Sequence, residues 1–194
     1  MAQIAKNVYG CKVVGIAGGP KKCSWLKDQL KIDAAVDYQS STFATDLKQA
    51  IGPRGADVVF DNVGGVILDS MLRHLAFKAR VVLCGAVSAM NDGPTPIQNI
   101  MSLIVKSASM TGFTLFNYAD RYQEAYDALA QFVLEGKVKY HEDVVMGLEN
   151  APRAMLKLFG KDGGNFGKLV VDLHTASPPP ASRDDATHQG GSRL

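Results

Sequence analysis

Four short apolar runs, Cys11–Ala17 (CKVVGIA), Ala34–Tyr38, Asp57–Phe60 and Ala79–Cys84, are separated by segments with helical spacing. The runs are apolar on consecutive residues rather than alternate ones, so they need cover on both faces. Strands of that kind, each followed by a helix, form a parallel sheet with helices on both faces, an α/β Rossmann-like fold. The polar breaks support this. Gly18-Gly19, Asp61-Asn62 and Gly85-Ala86 follow the runs directly, at the strand ends that line the ligand crevice of an open α/β sheet. Between them the sequence predicts helices over Lys21–Leu30 behind Pro20, over Phe43–Ile51 behind Thr42, and over Val66–Phe77. Ala2–Tyr9 reads as the end of a helix closed by Gly10.

The second half continues with a helix at Ile97–Lys106, a strand at Ser109–Leu115 and a long helix at Tyr118–Glu135 stopped by Gly136. Val138–Met146, Glu149–Phe159 and Lys168–Leu173 then read as strand, helix and strand, with a glycine-rich turn at 160–167. The expected organisation is a truncated dinucleotide-binding domain over 1–136 and a C-terminal segment of a substrate domain over 137–173. Residues 174–194 carry almost no apolar side chains and are expected to be a disordered tail.

The charge balance, 21 Lys and Arg against 19 Asp and Glu, gives no electrostatic case for a nucleic-acid or anionic membrane partner. No apolar run reaches the ~18 residues of a bilayer-spanning helix. Three widely spaced cysteines, Cys11, Cys23 and Cys84, argue against a disulfide framework and for a reducing, cytoplasmic setting. The chain lacks G-x-G-x-x-G, a P-loop, H-E-x-x-H, C-x-x-C and G-x-S-x-G. His74, His141, His174 and His188 have no ligand-like neighbours, so no metal site is expected, and His74 reads as a packed or surface helical histidine.

The bend Ala17-Gly18-Gly19-Pro20-Lys21-Lys22 carries the most information. In a dinucleotide fold the adenosine ribose lies at such a strand end. An acid there binds the ribose diol of NAD; small residues and a cation accept the extra phosphate of NADP. Here there are glycines and two lysines, and no acid before Asp28. A lysine–phosphate contact is worth about 1.5–3 kcal/mol. The bland alternative is two solvated lysines in the first turn of a helix, where the helix dipole slightly disfavours them.

The runs GCKVVGIAGGPKKCSWL (10–26), VDYQS (36–40), ADVVFDNVGG (56–65), RVVLCGAVS (80–88), FVLEGKVKY (132–140) and GGNFGKLVV (163–171) together resemble the zinc-independent medium-chain dehydrogenase/reductases. The branch they resemble is that of the alkenal, prostaglandin and curcumin reductases. The resemblance implies NADPH-dependent reduction of the activated C=C bond of a small-molecule enal or enone, without zinc. It also implies cofactor contacts. Lys22 would pair with the ribose phosphate, with Gly18 and Gly19 allowing approach, and Tyr38 would lie at the adenosine end. Asn62 would sit along the crevice. Cys84, Gly85, Ala86, Val87 and Ser88 would pass backbone groups along the nicotinamide, which Phe113, Thr114 and Leu115 would bracket. Asn165 would reach the cofactor from the last turn. Packing or turn-capping roles compete at Tyr38, Asn62, Cys84 and Phe113, and no catalytic residue is assigned.

Two departures shape the expectation. The family's first nucleotide-domain strand and glycine-rich turn have no counterpart, because the chain starts inside the following helix at Met1-Ala2-Gln3-Ile4. In the strand order 3-2-1-4-5-6 that strand is central. The runs at 12–17 and 57–60 then lose their shared neighbour, and the pyrophosphate its helix N-terminus. The N-terminal substrate domain is expected to be absent too, and activity to be impaired. Secondly, where the family places a tyrosine near the substrate, this chain has Ala89-Met90-Asn91, and Met90 donates no proton. The competing reading is a non-catalytic dinucleotide-binding fragment, or one that forms a homodimer through exposed strand edges.

Overall fold

The computed structural model describes residues 1–89, 93–159 and 165–173. The tail at 174–194, Met90 with Asn91, and most of the glycine-rich turn at 160–167 lie outside the described residues. The chain divides into two compact units, Met1–Lys139 and Tyr140–Leu194.

The first unit contains α1 (Ala2–Asn7), β1 (Val14–Ala17), α2 (Pro20–Asp28), β2 (Ala34–Asp37), α3 (Phe43–Ile51), β3 (Ala56–Asp61) and α4 (Gly65–Leu72). It continues with β4 (Leu75–Leu83), α5 (Met101–Val105), β5 (Ser109–Gly112), a 3-10 segment at Leu115–Arg121 and α6 (Tyr122–Leu134). All its strand pairs are parallel: β1 with β2, and β3–β4–β5 in that order. Among the described residues β1 and β3 do not pair with each other, and the break falls where the sequence reading lacks a strand. One core nevertheless serves both pieces. Val36 of β2, Leu47 of α3, Val59 of β3, Leu68, Met71 and Leu72 of α4, and Leu75, Ala79 and Val81 of β4 form a single buried cluster, with Val14 and Ile16 of β1 packed against it.

Local chemistry accounts for most boundaries. Pro20 opens α2, where its missing N–H costs nothing. Gly52 (φ 85°) ends α3 in a conformation that a side chain would strain. The helix predicted over 66–77 stops at Leu72 instead, and His74 stands in the turn after it rather than on a helix. Leu75 and Ala76 continue the apolar spacing of α4, but they are buried as the start of β4, where the Ala56 N–H donates to the His74 carbonyl (2.8 Å). A bulge between Ala56 and Val58, with Lys78 at φ 60°, restores the register. Strand pairing thus overrides helical spacing. The long helix predicted from Tyr118 begins at Tyr122, because Thr114 and Asn117 cap a separate 3-10 segment kinked at Tyr118. The helix predicted over 97–106 shortens to Met101–Val105, and the strand over 109–115 to Ser109–Gly112.

α1 is tied to the base of the β1–β2 pair by charge. Lys6 Nζ donates to Asp33 Oδ1 (2.6 Å), and the Val13 N–H donates to Asp33 Oδ2 (2.7 Å). The Lys6 ammonium and the Val13 amide hold the Asp33 carboxyl below its ordinary 3.8. A lowered native value means that the unfolded chain binds the proton more readily. The stabilisation is therefore complete above about pH 5 and lost as pH falls through the native value. The pair is partly exposed, so at most about 1 kcal/mol is expected. Asp33→Asn should lower the urea midpoint at neutral pH, and the difference should shrink as acid protonates the native carboxyl.

The second unit holds β6 (Glu142–Met146), a 3-10 turn at Leu148–Asn150, α7 (Ala151–Phe159) and β7 (Lys168–Asp172), with β6 and β7 parallel. Lys157 of α7 pairs with Asp143 of β6 (3.2 Å). This is the strand–helix–strand order read from the sequence.

Candidate functional site

The candidate residues stand mostly on loops at the C-terminal ends of parallel strands. After β1 the chain turns through Gly18 and Gly19 (φ 83°) into α2, whose first turn bears Lys21 and Lys22. The bend is held from β2. Asp37 Oδ1 accepts from the Gly19 N–H (2.8 Å) and from the Gln39 N–H (2.9 Å). Tyr38 closes over the same bend, so closely that a Cβ on Gly18 would lie 2.9 Å from its hydroxyl oxygen. Gly18, Tyr38 and the two lysines thus come together, with Lys22 half-buried and Lys21 exposed. Asp37, missed in the sequence, is what fixes them. Its signal was there: an acid at a strand end, two residues before Gln39, in the position of an Asx turn. Below the bend, burial and then the Asp37 charge push the Cys23 thiol above its ordinary value, as expected for an inert packed cysteine.

The loops after β3 and β4 are locked together. Asp61, the last residue of β3, is only 6% exposed and accepts from the Gly64 N–H at Oδ2 (2.7 Å). Burial pushes its carboxyl up, against the pull of the Gly64 and Val63 amides. The Cys84, Val87 and Ser88 N–H groups donate to the Asp61, Asn62 and Val63 carbonyls at 2.8, 3.2 and 3.0 Å. Those three amides are spent inside the loop pair. Gly85 packs flat on Asn62, where a Cβ would meet the Asn62 carbonyl oxygen at 3.0 Å. Asn62 itself and Gly85, Ala86 and Val87 are exposed at the rim, while Cys84 and Ser88 are half-buried.

Beyond β5, the Phe113 N–H donates to the Leu83 carbonyl (3.1 Å). Its ring lies 6.4 Å from Phe60 and meets Tyr118 edge-on at 5.8 Å. The Thr114 hydroxyl donates to Asn117 Oδ1 (3.1 Å), so it serves as a cap. Leu115 is exposed. Tyr118 is a second aromatic that the sequence reading left inside a helix. Asn165 belongs to the second unit, where its Nδ2 donates to the Gly167 carbonyl (3.0 Å). An open groove of about 460 Å³ between α2, β2 and α3 is lined by none of the residues selected from the sequence. Among the described residues, no three His, Cys, Asp or Glu side chains gather into a group that could hold a metal ion.

The sequence model of a family described as zinc-binding dehydrogenase matches residues 1–132. The NADPH-dependent curcumin reductase of Escherichia coli (strain K12) is 36% identical over 178 residues, 88% of this chain and 50% of that protein. A 2-alkenal reductase (NADP(+)-dependent) of Nicotiana tabacum is 37% identical over 172 residues, again 88% of this chain and 49% of that protein. The crystal structure of CurA from Vibrio vulnificus in complex with NADPH superimposes with a TM-score of 0.80 at 37% identity, over 90% of this chain and 53% of that one. The chain thus spans about half the length of the curated relatives it matches.

Proposed function

The chain belongs to the zinc-binding dehydrogenase family, and from that premise we propose that it binds NADPH along the strand-end crevice and serves the reduction of the activated C=C bond of an enal or enone. The observation that carries this reading is the bend of Gly18 and Gly19, fixed by Asp37 and Tyr38 and followed at once by two lysines. Asp37 holds the bend through Oδ1, which accepts from two backbone amides, and the helix turn that follows carries two lysines. Small residues followed by cations suit a phosphate. The printed activities of the relatives, curcumin and 2-alkenal reduction, support the substrate class.

Lys22 would hold the ribose phosphate, with Gly18 and Tyr38 at the adenosine end. Asn62 and Gly85–Val87 would line the middle of the crevice. Because the amides of Cys84, Val87 and Ser88 are committed inward, this loop would offer mainly carbonyl acceptors. Phe113, Thr114 and Leu115 would flank the nicotinamide. NADPH supplies the hydride when bound; the chain's share is orientation and exclusion of water. The family's descriptor names zinc, and among the described residues no three His, Cys, Asp or Glu side chains gather to hold one. A reducing compartment belongs to the same reading, on the odd number and wide spacing of the three cysteines. So does pairing of two copies at the open side of β5, an edge strand flanked by exposed Met101, Ile104 and Val105 of α5.

Incubating the chain with NADPH and a 2-alkenal tests the reaction class. The expected product is the saturated aldehyde. An allylic alcohol would move the reading to carbonyl reduction, and failure to bind NADPH would overturn it.

A further inference from the structure

The buried carboxylate at the end of β3 and a serine on the next loop form one brace. Asp61 Oδ2 fixes the Gly64 N–H (2.7 Å), which shapes the turn Asn62–Gly65. The Ser88 hydroxyl donates to the Val63 carbonyl at 2.6 Å, and the Ser88 N–H reaches the same oxygen at 3.0 Å. A Cβ on Gly65 would lie 2.8 Å from Ser88 Oγ, so the serine fills the space that this glycine leaves. Asn62 sits between the two anchors, its carbonyl held by the Val87 N–H (3.2 Å) and the residue exposed at the rim. A free Asx-type turn with two consecutive positive-φ glycines (71° and 57°) samples many conformations; pinned from both ends it keeps few.

We infer that Asp61 and the Ser88 hydroxyl are positioning residues that hold Asn62 in the geometry that receives the dinucleotide. Ser88 acts inward on the neighbouring loop and not on the cofactor. The inference rests on the NADPH reading above.

Ser88→Ala removes the hydroxyl anchor and keeps the backbone N–H bond to Val63, at a half-buried residue outside the core cluster. The expected result is faster hydrogen exchange at the Gly64, Val87 and Ser88 amides and an NADPH affinity about three- to tenfold weaker, the loss typical of one hydrogen bond. In an Asn62→Ala background the same change should have little further effect, and Ser88→Thr should restore most of the affinity. Additive losses in the double variant would overturn the inference, because Ser88 would then be acting independently of Asn62. Unchanged exchange would overturn it as well. If Ser88→Ala speeds exchange while the unaltered chain binds no NADPH, the nucleotide reading fails and this role falls with it. If NADPH binds and Ser88→Ala leaves its affinity intact, the brace alone is wrong. Asp61→Asn, which keeps one acceptor oxygen, is expected to weaken NADPH in the same direction.

Discussion

Replacing Leu47 by alanine is expected to lower the unfolding free energy by about 2–5 kcal/mol. Leu47 is fully enclosed (0% exposed) and lies in the cluster shared by Val36, Val59, Leu72 and Val81. It is the contribution of α3 to a core that the β1–β2 and β3–β4–β5 pieces have in common. Truncating it leaves a cavity within that cluster. Against a typical domain stability of about 5–15 kcal/mol, that loss is a large share. Leu134→Ala, at a side chain 83% exposed, should change stability by no more than about 0.5 kcal/mol. Urea midpoints of the two variants measure the contrast. A loss of under about 1 kcal/mol for Leu47→Ala would mean that the two sheet pieces do not share this core.

The alternation of apolar runs with helical segments carried most of the architecture, because consecutive apolar residues and their following glycines are local signals. Parallel pairing follows from it, whereas the break between β1 and β3 was expected only from the strand order of the family that the chain resembles. The helix end near Leu72 was not legible. Leu75 and Ala76 satisfy helical and strand burial equally well, and only pairing with Ala56 decides between them. Tyr118 was hidden similarly, because the Thr114–Asn117 cap needs a side-chain geometry that the spacing alone does not specify. At the candidate site, the glycines, lysines and Asn62 stood out as types that suit a dinucleotide. The residues that hold them, Asp37, Asp61 and the Ser88 hydroxyl, were harder to read. Their work is on backbone amides and carbonyls up to 25 positions away, and one-dimensional spacing does not display such partners.

Lys22→Ala is expected to weaken NADPH about ten- to a hundredfold while changing NADH little. The lysine follows the bend by three residues, on the first turn of α2, and Asp37 keeps that turn in place. A charge-assisted contact to a phosphate is worth about 1.5–3 kcal/mol, which sets the size of the effect. Lys21, exposed where Lys22 is half-buried, should contribute less and serves as the control. The direct trial is a titration of the purified chain with NADPH and with NADH, repeated on Lys22→Ala. A clear preference for NADPH that the variant loses is the result predicted here. Equal binding of the two nucleotides by the unaltered chain, or an equal weakening of both in the variant, would contradict it.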